Sequence, residues 1–148
     1  MQYANEIIPN LWLGCRNSPL ERENLRKNNI KLIINCSKDL DYPVDSNIQT
    51  IRLPINDANT EESNQILNDN IDTITYIMDT YLNNNIGVLV HCFAGMQRSA
   101  TVVICYLIKY KHFTLDKAKQ LMKSKRSIVF LPYPTFDTFI TNYSLQYK

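Results

Sequence analysis

The chain has 148 residues, which suits a single domain, and its 45% hydrophobic and 20% charged content excludes a disordered chain. With 16 basic and 14 acidic residues, the net charge of +2 is too weak to indicate a nucleic-acid or membrane-surface partner. The apolar run from Ala100 stops at Lys109, short of the roughly 20 residues of a membrane span, and Met1–Glu6 lacks the basic and apolar regions of a secretory leader.

In chain order, Glu6–Gly14 reads as two short strands around a Pro9-Asn10 turn. Ser18-Pro19 then predicts a helix to about Asn28, with Ser18 as its cap and Pro19 at the first helical position. Ile30–Asn35 and Ile48–Leu53 suit buried strands. From Glu62 to Leu82, Ile66, Leu67, Ile71, Ile74, Ile77 and Met78 recur at spacings of three and four, which predicts an amphipathic helix. Gly87 leads into a third buried strand, Val88–Val90. The stretch after Arg98 is almost wholly apolar and predicts a helix at the centre of the core. Thr114 can cap a further helix to about Lys125, and Thr135–Leu145 can form the last. Strands alternating with helices predict an α/β fold, one domain over residues 1–148, with a mostly parallel central sheet flanked by helices.

Cys15, Cys36, Cys92 and Cys105 match neither a disulfide scaffold nor the spacing of a zinc site, and His91 and His112 lie 21 residues apart, so no metal is expected. Without a leader, the thiols read as reduced, in the cytoplasm or nucleus. The tyrosines are dispersed and build no stacking platform for nucleic acid. Lys123, Lys125 and Arg126 read as a solvated helix end.

The informative segment is Val88-Leu89-Val90-His91-Cys92-Phe93-Ala94-Gly95-Met96-Gln97-Arg98-Ser99. A buried strand ends at a cysteine, five residues follow, and an arginine opens a buried helix. Ligands of open α/β sheets bind beyond the carboxyl ends of strands, and a helix N-terminus there offers unpaired N–H groups to an anion. A short loop over Phe93, Ala94, Gly95, Met96 and Gln97 can aim its amides inward as an anion nest, with Gly95 permitting the turn. Arg98 adds a guanidinium that grips two phosphate oxygens. Such surroundings favour the thiolate, the nucleophilic form of cysteine. A thiolate beneath a bound phosphate suits phosphoryl transfer to Cys92. Ser99 is placed to donate to the sulfur and make it a better leaving group, and His91 to order the loop from behind.

Cys-x5-Arg with the Ala94-Gly95 pair and the Arg98-Ser99 ending resembles the active-site loop of cysteine-dependent protein phosphatases of the dual-specificity subgroup. Ile8–Gly14 and Lys31–Cys36 resemble that subgroup's opening strand pair and second core strand, so the resemblance spans about Ile7 to Phe139. It implies hydrolysis of phosphotyrosine and phosphoserine/phosphothreonine in proteins through a phosphocysteine, without metal or cofactor. It also implies an aspartic acid that protonates the leaving oxygen. Asp57 follows a strand-like run, stands 35 residues before Cys92 with the long helix between, and is the candidate acid.

Two positions depart from the pattern. Gln97 replaces the usual Ser before the loop Arg, and Pro132-Tyr133-Pro134-Thr135-Phe136 lacks the Asn of Pro-Asn-x-x-Phe. In some relatives a second cysteine traps the oxidised nucleophile, a role open to Cys36; its plain reading is a buried thiol. A phosphatase of RNA 5′ ends or phosphoinositides is an alternative, against which the loop's uncharged Phe93, Met96 and Gln97 speak. A silent phosphoprotein-binding module is another, and it would need neither Cys92 nor Asp57. The expected partners are phosphorylated proteins, with no nucleic acid or membrane, and the oligomeric state is not indicated.

Overall fold

The computed structural model describes residues 3–147; Met1 and Gln2, part of the stretch read above for a leader, and Lys148 lie outside it. Strands β1 (Ala4–Ile8) and β2 (Leu11–Gly14) pair antiparallel around Pro9-Asn10. Asn10 takes a φ of 72°, a conformation Asn tolerates, and its N–H donates to the Glu6 carboxylate at 2.9 Å.

The Ser18-Pro19 helix is not continuous. A 3-10 turn covers Ser18–Leu20, and α1 (Arg22–Lys27) starts separately. Ser18 caps nothing, because its hydroxyl is committed backwards, donating to the Cys15 carbonyl at 2.6 Å. Strand β3 (Ile30–Asn35) follows, then β4 (Gln49–Arg52), whose side chains are largely exposed. The expectation of a second buried strand fails there because β4 is the sheet's edge.

Thr60 caps α2 (Glu61–Asn83), accepting from the Ser63 N–H at 3.1 Å, and the helix buries Leu67, Ile71, Ile74 and Met78. Strand β5 (Gly87–His91) is buried at every residue. In α3 (Arg98–Tyr110) every residue from Ser99 to Ile108 is buried. Thr114 caps α4 (Leu115–Lys125), accepting from the Lys117 N–H at 3.2 Å, and α5 (Asp137–Gln146) closes the chain.

The five strands lie in the order β1-β2-β5-β3-β4, antiparallel between β1 and β2 and parallel elsewhere. Side chains alternate between the two faces. Leu32, Ile34, Val88 and Val90 join the large core shared with α2, α3, α4 and α5, while Ile33 and Leu89 join a smaller cluster with Leu25 of α1. Strand β5 is thus covered on both faces, as its unbroken apolar run requires. Among the described residues no helix is long and apolar enough to cross a membrane.

Candidate active site

Cys92 follows the last residue of β5 and lies at the carboxyl end of the parallel strands. Alternation along β5 carries Cys92 onto the face of α3 and His91 onto the face of α1. Cys36 lies one residue beyond the Asn35–His91 pairing of β3 with β5, so it stands beside Cys92 on the same face; its N–H donates to the His91 carbonyl at 2.8 Å.

The loop from Cys92 to Arg98 is held by its carbonyls. Phe93 O accepts from the Arg16 N–H at 2.9 Å, and Met96 O from the Phe130 N–H at 2.8 Å. Ala94 O and Gly95 O accept from Arg126 Nη2 and Nε, each at 3.0 Å. Gln97 O accepts from Thr101 N–H at 2.9 Å in the first turn of α3. In a planar trans peptide the N–H points opposite to the preceding C=O. Carbonyls turned outward from 93 to 96 therefore turn the amides of 94 to 97 inward. The Gly95 N–H meets Cys92 Sγ at 3.3 Å inside that ring. Gly95 carries a φ of 69°, and a Cβ there would stand 2.7 Å from both the Gly14 carbonyl oxygen and Arg126 Nη2, so only glycine closes the turn.

Cys92 Sγ also lies 3.1 Å from Ser99 Oγ, either atom being able to donate. Arg98 Nη1 donates to the Ile55 carbonyl at 3.1 Å, and its buried Nε–H has no acceptor among the described residues. That bond ties Arg98 to the segment after β4, in which Asp57 stands exposed. Asp57, Cys92, Phe93, Ala94, Met96, Gln97 and Arg98 all line one cleft of about 580 Å³, whose far wall is Leu131–Thr135.

Behind the loop, His91 Nδ1 lies 3.4 Å from Cys92 O, and the Tyr42 ring stands edge-on at 5.2 Å. Burial lowers the His91 pKa to about 4, so the ring is neutral; with Nδ1–H facing the carbonyl, Nε2 is a lone pair without a partner among the described residues. Burial, reinforced by Cys92, pushes the Cys36 thiol well above its ordinary value. No three His, Cys, Asp or Glu side chains among the described residues are grouped to hold a metal ion.

Arg126, expected with Lys123 and Lys125 to form a solvated helix end, is instead half-buried. Its guanidinium holds the two loop carbonyls and donates through Nη1 to Asn5 Oδ1 at 2.9 Å. Lys123 and Lys125 are exposed as expected, and Lys123 Nζ donates to the Val129 carbonyl at 2.7 Å. Nothing in the local sequence marks either contact. Gln97 is buried and bonded to the far wall of the cleft.

A family model described as "Dual specificity phosphatase, catalytic domain" matches residues 11–144. Human dual specificity protein phosphatase 16 is 35% identical over 126 residues, which cover 83% of this chain and 18% of that protein. Human dual specificity protein phosphatase 9 is 34% identical over 124 residues, covering 82% and 31%. The chain thus spans less than a third of the length of these two relatives. Protein 123R of Invertebrate iridescent virus 6, whose name describes a tyrosine phosphatase, is 32% identical over 125 residues, covering 84% of this chain and 81% of that protein. Among solved structures, human DUSP28 superposes with a TM-score of 0.86 at 24% identity, covering 97% of this chain and 93% of that one. The human tyrosine phosphatase-like serine/threonine/tyrosine-interacting protein gives 0.83 at 24% identity, covering 97% of each. At that identity both structures speak to the fold.

Proposed function

The chain belongs to the dual-specificity phosphatase family, and we propose that it acts as one catalytic domain that hydrolyses phosphotyrosine and phosphoserine/phosphothreonine in proteins. The observation that carries this reading is the loop ring around Cys92 Sγ: the carbonyls of Phe93, Ala94, Gly95 and Met96 are bonded to other parts of the chain, and the Gly95 N–H meets the sulfur at 3.3 Å. Such a ring presents N–H donors to a tetrahedral dianion with the sulfur on its axis.

In the first step Cys92 Sγ attacks phosphorus in line with the ester oxygen. The S–P bond forms, the P–O bond breaks, and Asp57 gives its proton to the leaving oxygen. The amides of Phe93 to Arg98 and the Arg98 guanidinium hold the three equatorial oxygens, where charge is spread in the transition state. In the second step the Asp57 carboxylate takes a proton from water, the water oxygen attacks phosphorus, and the S–P bond breaks to release phosphate. The Ser99 hydroxyl, 3.1 Å from Sγ, stabilises the departing sulfur. His91 supports the loop from behind. Each charge is handled by a side chain or an amide, so the reaction calls on no cofactor. The uncharged Phe93, Met96 and Gln97 favour phosphoproteins over more highly anionic substrates. The four free thiols suit a reducing compartment, the cytoplasm or nucleus.

The test is steady-state hydrolysis of para-nitrophenyl phosphate with EDTA and a reductant, followed by phosphotyrosine and phosphothreonine peptides. Cys92→Ser should abolish turnover of every substrate, and Asp57→Asn should lower kcat by roughly 10²–10⁴ on the phosphothreonine peptide and far less on para-nitrophenyl phosphate, whose leaving oxygen departs without a proton. A folded wild type inert on every substrate would overturn the proposal.

A further inference from the structure

Gln97 does more than its place in the loop requires. Its side chain is 6% exposed and uses all its near hydrogen-bonding capacity on one segment. Nε2 donates to the carbonyls of Leu131 and Tyr133, each at 3.0 Å, and Oε1 accepts from the Thr135 N–H at 2.9 Å. Two donors facing carbonyls and one acceptor facing an N–H leave only this orientation of the amide consistent.

Between the buried side chains of Phe130 and Phe136 the segment so held has few bonds of its own. Pro132 and Pro134 have no N–H, and 131–136 lies outside any helix or strand. Phe130 is tied separately, through its N–H to the Met96 carbonyl. The segment forms the far wall of the cleft, and its outward side chains are Leu131, 46% exposed, and Tyr133, 71% exposed. Across the cleft Phe93 is 50% exposed, with the Arg16 guanidinium 4.1 Å over its ring. Both walls of the cleft thus carry an exposed apolar or aromatic side chain, beside the polar Asp57 and Asn59.

We propose that Gln97 is a positioning residue that sets substrate selectivity: it ties the Leu131–Thr135 wall to the phosphate-binding loop, so that the wall receives an apolar residue flanking the phosphorylated one. This rests on the reading above that the cleft hydrolyses phosphoproteins. A small aryl phosphate that fills only the phosphate site makes no use of the wall; a phosphopeptide does.

Two variants separate the tie from the fold. Gln97→Met keeps the length of the side chain and removes all three bonds. Gln97→Glu keeps the acceptor for Thr135 and sets a carboxylate oxygen against two carbonyls, which is worse. For each, kcat and KM are measured on para-nitrophenyl phosphate and on a phosphotyrosyl peptide with leucine beside the phosphotyrosine. The ratio of kcat/KM, peptide over aryl phosphate, should fall about fivefold or more, mainly through the peptide KM, with Gln97→Glu falling further. Tyr133→Ala should lower the same ratio, and Gln97→Met/Tyr133→Ala should fall no further than the worse single variant. Independently of turnover, exchange of the Thr135 amide should speed up about tenfold in Gln97→Met. An equal fall on both substrates, additive effects in the double variant or unchanged Thr135 exchange would each overturn the role of Gln97. A wild type inert on both substrates would overturn the phosphatase reading and the selectivity role with it; a wild type active on both, with the same ratio in Gln97→Met and Gln97→Glu, would overturn the selectivity role alone.

Discussion

Acidification should destabilise the folded chain through His91. Burial lowers its pKa from 6.5 to about 4; the Arg52 charge adds to the drop, and the Cys92 carbonyl partly opposes it. The unfolded chain therefore binds a proton near pH 6.5, and the folded chain only near pH 4. Between these values the unfolded state holds more protons. The stability due to the neutral ring is complete above about pH 6.5 and is lost as the pH falls towards 4. Linkage with these two values gives a loss of about 2 kcal/mol between pH 7.5 and pH 5.0. For a chain of this size that lowers Tm by roughly 4–8 °C. The assay is thermal and urea melting of the wild type and His91→Gln at several pH values in that window. Whatever its stability at pH 7.5, the variant lacks the ring's proton and should show a flatter dependence, since every other group is common to both. Parallel profiles between pH 7.5 and pH 5.0 would refute the assignment.

Other outcomes follow from the same contacts. Arg126→Ala removes three hydrogen bonds and leaves the Ala94 and Gly95 carbonyls without their donor; urea melts should show a loss of about 2–4 kcal/mol, with Arg126→Lys recovering only part of it. Gly95→Ala forces a side chain into positive φ and against the Gly14 backbone; a loss of about 2–4 kcal/mol and a collapse of kcat/KM are expected, checked by melting and steady-state kinetics. Mild peroxide should oxidise the Cys92 sulfur to a sulfenic acid, which the Cys36 thiol attacks with loss of water to form a disulfide. Because Cys36 is held protonated by burial, closure should be slow at neutral pH and faster as the pH rises. Non-reducing mass spectrometry reads the Cys36–Cys92 peptide, and its absence would remove Cys36 from any redox role.

Elements governed by local chemistry were readable from the residues. The Thr114 cap, the three-four spacing of α2 and the unbroken apolar run of β5 each carry their physical cause within a few positions. Ser18-Pro19 misleads because a hydroxyl chooses between a forward and a backward partner, and here it donates back to the Cys15 carbonyl. The edge position of β4 depends on sheet order, which no short window contains. In the site, the Cys92–Ser99 segment was conspicuous as a strand, loop and helix. Arg126 and the wall at 131–135 were not, because each meets the loop more than thirty residues away along the chain. Gln97 and Tyr133 show in the sequence only as departures from a pattern, because the bond between them spans 36 residues of chain.

The two halves of the proposed chemistry sit at opposite ends of the molecule's local stability. Cys92 is joined to β5 and α3, the most deeply buried strand and helix, and its loop carbonyls are bonded to three other parts of the chain. Asp57 stands in an exposed segment anchored mainly by Leu53 and Ile55. A protease should therefore cut between Asn56 and Thr60 long before it reaches the phosphate loop. A molecule nicked there would keep its nucleophile and lose its proton donor. It would go on cleaving esters whose leaving oxygen departs unprotonated, such as para-nitrophenyl phosphate, and fall silent on serine and threonine phosphates, so a degraded preparation would imitate a change of specificity.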